Sequence, residues 1–129
     1  MSAFSYDHVH LRSPDPEETA RYYEKMFGAE ILRSVQSDGR ERIDLNLCGL
    51  TVFIAKVDPA KVGAPPEPPF QGLEHLGLSV SPIDEAVAEL KAKGAEFTRE
   101  PTTIRPGVRI AFIRGPQNVH IELLERNAP

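Results

Sequence analysis

The chain has 129 residues, 40% of them hydrophobic and 26% charged, which is the composition of one ordinary globular domain with a single core. A net charge of −4 and a pI near 5.6 offer no basic surface for nucleic acid, and the apolar runs are too short to span a bilayer. One cysteine, Cys48, excludes an internal disulfide and fits a reducing cytoplasmic compartment. The start "MSAFSYDHVHL" lacks a charged segment followed by an apolar one, so no secretory signal is expected.

In chain order, residues 5–12 alternate as a strand, with Val9 and Leu11 on one face and Tyr6, His8, His10 and Arg12 on the other. Ser13-Pro14-Asp15-Pro16 breaks that strand and supplies helix-start residues. "EETARYYEKMF" then reads as a helix, with acids in its first turn and Gly28 as its stop. Strand-like segments follow at about 29–36, 41–48 and 51–57. Residues 58–72, "DPAKVGAPPEPPFQG", hold five prolines and two glycines and read as a linker.

After the linker the order returns. A strand is expected over 73–80, a helix over about 83–93 ended by Gly94, and strands near 95–100, 107–114 and 118–125. Gly28-Ala29-Glu30 matches Gly94-Ala95-Glu96, and His8 and His75 lie 20 and 19 residues before those glycines. The chain is therefore two copies of one β-α-β-β-β unit, module one at about 5–57 and module two at about 73–125. A lone unit leaves one sheet face uncovered, so the expected fold is α+β. Two tandem βαβββ modules would form a curved mixed sheet around a concave groove, the helices covering the outer faces.

The pattern assigns the faces. Val9, Leu11, Val52, Ile54, Leu76, Leu78, Val80, Val119, Ile121 and Leu123 form an aliphatic face. Opposite them stand His8, His10, Arg12, Asp44, Asn46, His75, Ser79, His120 and Glu122. A solvated antiparallel face would also be polar. Three of these residues nevertheless have good ligand chemistry and come from three different strands: His8, His75 and Glu122. Two imidazoles and one carboxylate suit a divalent transition metal and leave coordination positions open for substrate.

The segments "DHVHLRSPDPEETARYYEKMFG", "EHLGLSVSPIDEAVAELKAKG" and "GPQNVHIELLE" resemble the vicinal oxygen chelate superfamily, which includes glyoxalases, methylmalonyl-CoA epimerases, fosfomycin-resistance thiol transferases, extradiol dioxygenases and bleomycin-resistance proteins. The resemblance covers about residues 5–125, and it implies a single domain over residues 1–129 with its metal ligands at His8, His75 and Glu122. Asn118 replaces the Gly of the family's turn before the terminal Glu. Glyoxalases and the epimerase take a fourth ligand from the last strand of the first unit, where this chain has Phe53, with Thr51 and Ala55 as its other groove-facing residues.

A three-ligand site resembles the extradiol dioxygenases and fosfomycin-type transferases. Phe112, however, stands where the extradiol pattern expects Tyr. The implied cofactor is a divalent metal ion, Fe2+ or Mn2+ first, with Zn2+, Ni2+ or Co2+ also suited. The expected activity is glyoxalase-like, of lyase or isomerase type, on a small substrate that chelates through adjacent oxygens. An Fe(II) dioxygenase, a fosfomycin-type transferase and a metal-free antibiotic-binding protein are the alternatives.

His10 and His120 share the groove-facing parity and are the candidate catalytic bases, since histidine exchanges protons near neutral pH. Phe53, Phe112, Tyr6 and residues 64–70 could wall a substrate, and Arg12, Arg42 and Arg109 could meet its anionic groups. A homodimer is expected by resemblance alone, and neither nucleic acid nor membrane is expected as a partner.

Overall fold

The computed structural model describes residues 2–127. The chain divides into two compact units, residues 1–64 and 65–129, with the boundary inside the proline-rich stretch. Among the described residues no helix is long and apolar enough to cross a membrane.

The first unit contains β1 (Val9–Ser13), α1 (Pro16–Phe27), β2 (Glu30–Val35), β3 (Glu41–Leu47) and β4 (Leu50–Lys56). Its sheet runs β1-β4-β3-β2, with β1 parallel to β4 and the other pairs antiparallel. Pro16 opens α1, where its missing N–H costs nothing, and Asp15 caps the helix by accepting a hydrogen bond from the Glu18 amide at 3.2 Å. Gly28 closes it in the left-handed region that glycine enters freely. Thr19, Ala20, Tyr23 and Met26 recur at helical spacing, so one face of α1 is buried. The sheet's contribution to this core includes Leu45, Leu47 and Val52, each no more than 1% exposed.

The two-residue turn Cys48-Gly49 joins β3 to β4, and both residues have positive φ, as the tightest hairpin turn requires. Asn46 Oδ1 holds it by accepting from the Gly49 amide at 2.8 Å. That turn sets the register that pairs Asp44 with Phe53.

The second unit repeats the order with β5 (His75–Ser79), α2 (Ile83–Ala92), β6 (Glu96–Arg105), β7 (Val108–Arg114) and β8 (His120–Arg126), a 3-10 turn at Pro116–Asn118 preceding β8. Its sheet runs β5-β8-β7-β6, again with one parallel pair, β5 and β8. Ile83, Val87 and Leu90 bury the inner face of α2, and Ala111, Ile113, Ile121 and Leu123 lie in the same unit's core.

The α+β class and the tandem βαβββ order are present, the eight strands among the described residues forming two four-stranded mixed sheets. Three boundaries differ from the pattern reading. The first strand begins at Val9, so Tyr6 precedes it and His8 stands immediately before it. Cys48 falls in the hairpin turn and not in the strand. The strand expected to end near residue 100 continues to Arg105 through Pro101. It lies at the edge of its sheet and is irregular in register, which is where proline's missing donor does least harm.

Candidate metal centre

In the second unit, β5 and β8 are parallel neighbours with His75 opposite His120 and Gly77 opposite Glu122. His75 and Glu122 therefore stand diagonally on one face, and His75 Nε2 lies 3.2 Å from Glu122 Oε1. Gly77 brings no side chain to that face beside the carboxylate. The Glu122 side chain is only 17% exposed, while Glu74 Oε1 lies 2.9 Å from Nδ1 of the same imidazole. The edge of His75 meets the Phe112 ring at 5.2 Å between centroids.

This pair fits a divalent ion. Nitrogen and oxygen donors sit about 2.0–2.2 Å from such an ion, so two of them about 100° apart around it stand about 3.2 Å from one another. Imidazole nitrogen with one carboxylate oxygen is also the donor mixture that Fe, Mn and Zn accept. Among the described residues, no group of three or more His, Cys, Asp or Glu side chains forms a metal-holding cluster.

The third expected ligand, His8, belongs to the first unit. Its Nδ1 lies 2.6 Å from Asp7 Oδ2, and its ring stacks on Phe53 with centroids 3.9 Å apart and planes 23° from parallel. Phe53 also meets the Arg42 guanidinium at 4.2 Å, and Arg42 Nε donates to Asp44 at 2.9 Å. Phe53, the residue at the family's fourth-ligand position, is thus packed between His8 and Arg42, with no lone pair to offer a metal ion.

The two candidate bases differ. His120 Nε2 is buried without a hydrogen-bond partner, and its ring lies 6.4 Å from Phe112. A buried polar atom left unpaired is costly and unusual, which marks it as a place where a ligand can be satisfied. His10 is exposed, edge-on to Phe53 at 6.3 Å, and lines an open cavity of about 1090 Å³ in the first unit with Arg42, Asp44, Phe53 and Lys56.

One candidate substrate contact is corrected. Arg109 lies on the opposite face of β7 from Phe112 and donates to Asp84 of α2 at 2.7 Å. The acid at the start of α2 and the neighbouring Glu125 hold it against the helix, and parity across β7 excludes it from the polar face.

Asp7 and Glu74 escaped the pattern reading, although the signal was present: an acid directly precedes the histidine in both copies of the repeat. The turn before β8 shows why Asn118 can stand where the family motif has Gly. Its φ of 59° is left-handed, a region Asn tolerates, and its side chain donates to the Pro66 carbonyl at 2.7 Å while accepting from Arg114.

Comparison with known proteins agrees with the tandem fold. The family description that matches, over residues 5–123, is "Glyoxalase/Bleomycin resistance protein/Dioxygenase superfamily". The chain belongs to that superfamily. Over 124 residues it is 28% identical to the Bacillus subtilis "Uncharacterized protein YwkD", covering 95% of this chain and 97% of that one. Over 130 residues it is 30% identical to the Arabidopsis thaliana "Probable lactoylglutathione lyase, chloroplastic", covering 92% of this chain but 35% of that longer protein. Among solved structures, "the glyoxalase family protein from Enterococcus faecalis" superposes with a TM-score of 0.77 at 26% identity, covering 97% of this chain and all of that one.

Proposed function

We propose that this superfamily member is a metal-dependent enzyme of lyase or isomerase type, acting on a small substrate that presents two adjacent oxygens. The observation that carries the reading is the His75 Nε2–Glu122 Oε1 pair at 3.2 Å, a bidentate set of donors matched to one divalent ion. His8 completes the ligand set, and residues 1–129 act as one functional domain. The name of the Arabidopsis relative supports the lyase class.

Bound there, a divalent ion supplies Lewis acidity toward the substrate's oxygens. The protein's part is to orient and to move a proton. His75 and Glu122 lie on adjacent strands of a hydrogen-bonded sheet, so their relative placement is fixed by backbone and not by a loop. His120, directly opposite His75 across the same strand pair, keeps a buried and unpartnered Nε2 that can take or return a substrate proton. His10, exposed in the first unit's cavity beside Arg42 and Phe53, is the further candidate base or substrate contact. Phe112 supplies an apolar wall beside both His75 and His120.

The ligand set itself supports a second reading. Two histidines and one carboxylate, with Phe53 in place of a fourth ligand, are also the donor set of non-haem Fe(II) oxygenases. Oxygen uptake by anaerobically iron-loaded protein with a catechol or hydroxyketo acid separates the two, uptake favouring the dioxygenase.

The test of the metal centre is the metal content of purified protein beside that of His75→Ala. One equivalent of divalent ion per chain in the first and none in the second is expected. Absence of metal from both would favour a small-molecule binding module. A homodimer is the proposed assembly, on the family resemblance alone, and light scattering measures it.

A further inference from the structure

Both histidine ligands have the same neighbour on the same atom. Asp7 Oδ2 lies 2.6 Å from His8 Nδ1, and Glu74 Oε1 lies 2.9 Å from His75 Nδ1. The two acids have different side-chain lengths, yet each is the residue immediately before its histidine. Within a strand that contact would be disfavoured, because successive side chains point to opposite faces. It forms here because Asp7 and Glu74 both precede the first residue of their strands, β1 at Val9 and β5 at His75.

Each ring is held a second time. His8 lies face to face with Phe53, and His75 meets Phe112 at 83° between planes. With Nδ1 occupied and the ring plane fixed, the atom left to face outward is Nε2. At His75 that atom already points to Glu122.

We infer that Asp7 and Glu74 are positioning residues that hold His8 and His75 as the Nδ1–H tautomer, so that each imidazole presents the Nε2 lone pair to a cation. This inference rests on the metal-centre reading above and adds its orienting groups. A neutral imidazole has one N–H, and only if it donates that proton to the carboxylate is the other nitrogen a ligand. At His75 the two carboxylates compete for it, and the shorter contact is to Glu74. The hydrogen bond also turns the ring and makes Nε2 a better donor.

The two acids should not count equally. The Glu74 side chain is 27% exposed and the Asp7 side chain 83%, so water competes for Asp7 far more. Partners of metal-bound histidines typically change affinity by about 10–100-fold, which is the effect expected at Glu74. A largely solvated pair contributes little, so about two- to fivefold is expected at Asp7.

The experiment measures Co2+ affinity, by competition with a chelating dye, for the wild-type chain, Glu74→Gln, Asp7→Asn and the conservative Glu74→Asp. It also reads the imidazole tautomers of the metal-free proteins, with the rings neutral, from long-range proton–nitrogen-15 correlations. Expected are Nδ1–H tautomers at His8 and His75 in the wild type, a loss of that preference at His75 in Glu74→Gln, the graded affinity losses above, and substantial rescue in Glu74→Asp. Wild-type protein that binds one Co2+ while both amide variants bind it equally well would overturn the positioning role alone. An Nε2–H tautomer at His75 in the wild type would do the same. Failure of the wild type to bind Co2+ would instead overturn the metal centre, and this role with it.

Discussion

The two units place one residue differently at the same point of the same scaffold. In the second, β8 sets Glu122 diagonally across from His75, with Gly77 directly opposite the acid. In the first, β4 sets Phe53 diagonally across from His8, with His10 directly opposite the ring. Glu122 and Phe53 thus occupy equivalent positions, and each touches its unit's histidine, one through a carboxylate oxygen at 3.2 Å and the other through a stacked ring at 3.9 Å. Duplication supplied two identical frames. One strand position decides whether a frame offers two donors or one.

Exchanging those residues is the strongest way to break the comparison. Glu122→Phe copies the first unit's arrangement into the second and leaves His75 without an anionic co-ligand. Its Co2+ affinity should fall by more than about a hundredfold, beyond what partners of ligands command. Retained affinity would mean that Glu122 is not a ligand. The reciprocal Phe53→Glu adds a carboxylate beside His8. Affinity should then rise by about tenfold, equivalent to about 1.4 kcal/mol. The metal-free protein should lose the His8 stack, a contact of about 0.5–1.5 kcal/mol. Unchanged affinity in calorimetric titration would show that position 53 does not face the ion.

The helices differ as well. Asp15 caps α1 from the adjoining residue, aided by Ser13, whose hydroxyl accepts from the Asp15 amide at 3.0 Å. At the equivalent place α2 has Pro82, which offers no side-chain cap, and the cap comes from the far end of the unit: Glu125 Oε2 on β8 accepts from the Ile83 amide at 2.8 Å. Glu125 is 6% exposed, so its removal leaves a buried donor unpaired. Glu125→Ala should cost about 1–3 kcal/mol, and Asp15→Ala about 1 kcal/mol. Denaturant midpoints measure both, and a larger loss at Asp15 would show that the distant cap contributes little. Glu125→Gln keeps an acceptor and should recover part of the loss.

That long-range cap also shows where sequence reading stops. The repeat, the helix ends at Gly28 and Gly94 and the alternation in the strands are local signals, because period and turn chemistry act over a few residues. They sufficed for the βαβββ order and for the shared polar parity of His75 and Glu122, whereas the diagonal contact between the two comes from the long-range pairing of β5 with β8. Arg109 was misplaced because its parity was misread: three residues from Phe112 in an unbroken strand, it faces the other way, where Asp84 and Glu125 meet it. Glu125 reads as one more alternating acid near the end of a strand until α2 lies beside it. Asp7 and Glu74 are a different case. The acid-histidine pair recurs in plain sight, but its meaning depends on each strand starting later than the alternation suggests, at Val9 and at His75.

The smallest difference lies at the surface. Each unit ties its helix to its edge strand by one exposed ion pair. In the first, Arg33 grips Glu17 with two hydrogen bonds, at 2.6 and 2.7 Å; in the second, Lys91 meets Glu100 at 2.5 Å. The planar guanidinium matches a carboxylate at two points, whereas an ammonium does so at one. Hydrogen bonding from Arg33 and the nearby charges of Arg33 and Arg21 hold the Glu17 carboxyl at about 2, against an ordinary 4.5. A depressed carboxylate pKa means that the folded chain binds the proton less readily than the unfolded one. The stabilisation is complete above about pH 4.5 and is lost as pH falls toward 2. Glu17→Gln should therefore lower stability slightly at neutral pH and flatten the fall in stability across that window. Both partners are solvated, so the difference should shrink further in molar salt. A salt-insensitive or large effect would mean that the Arg33 grip holds β2 to α1 by packing and not by charge.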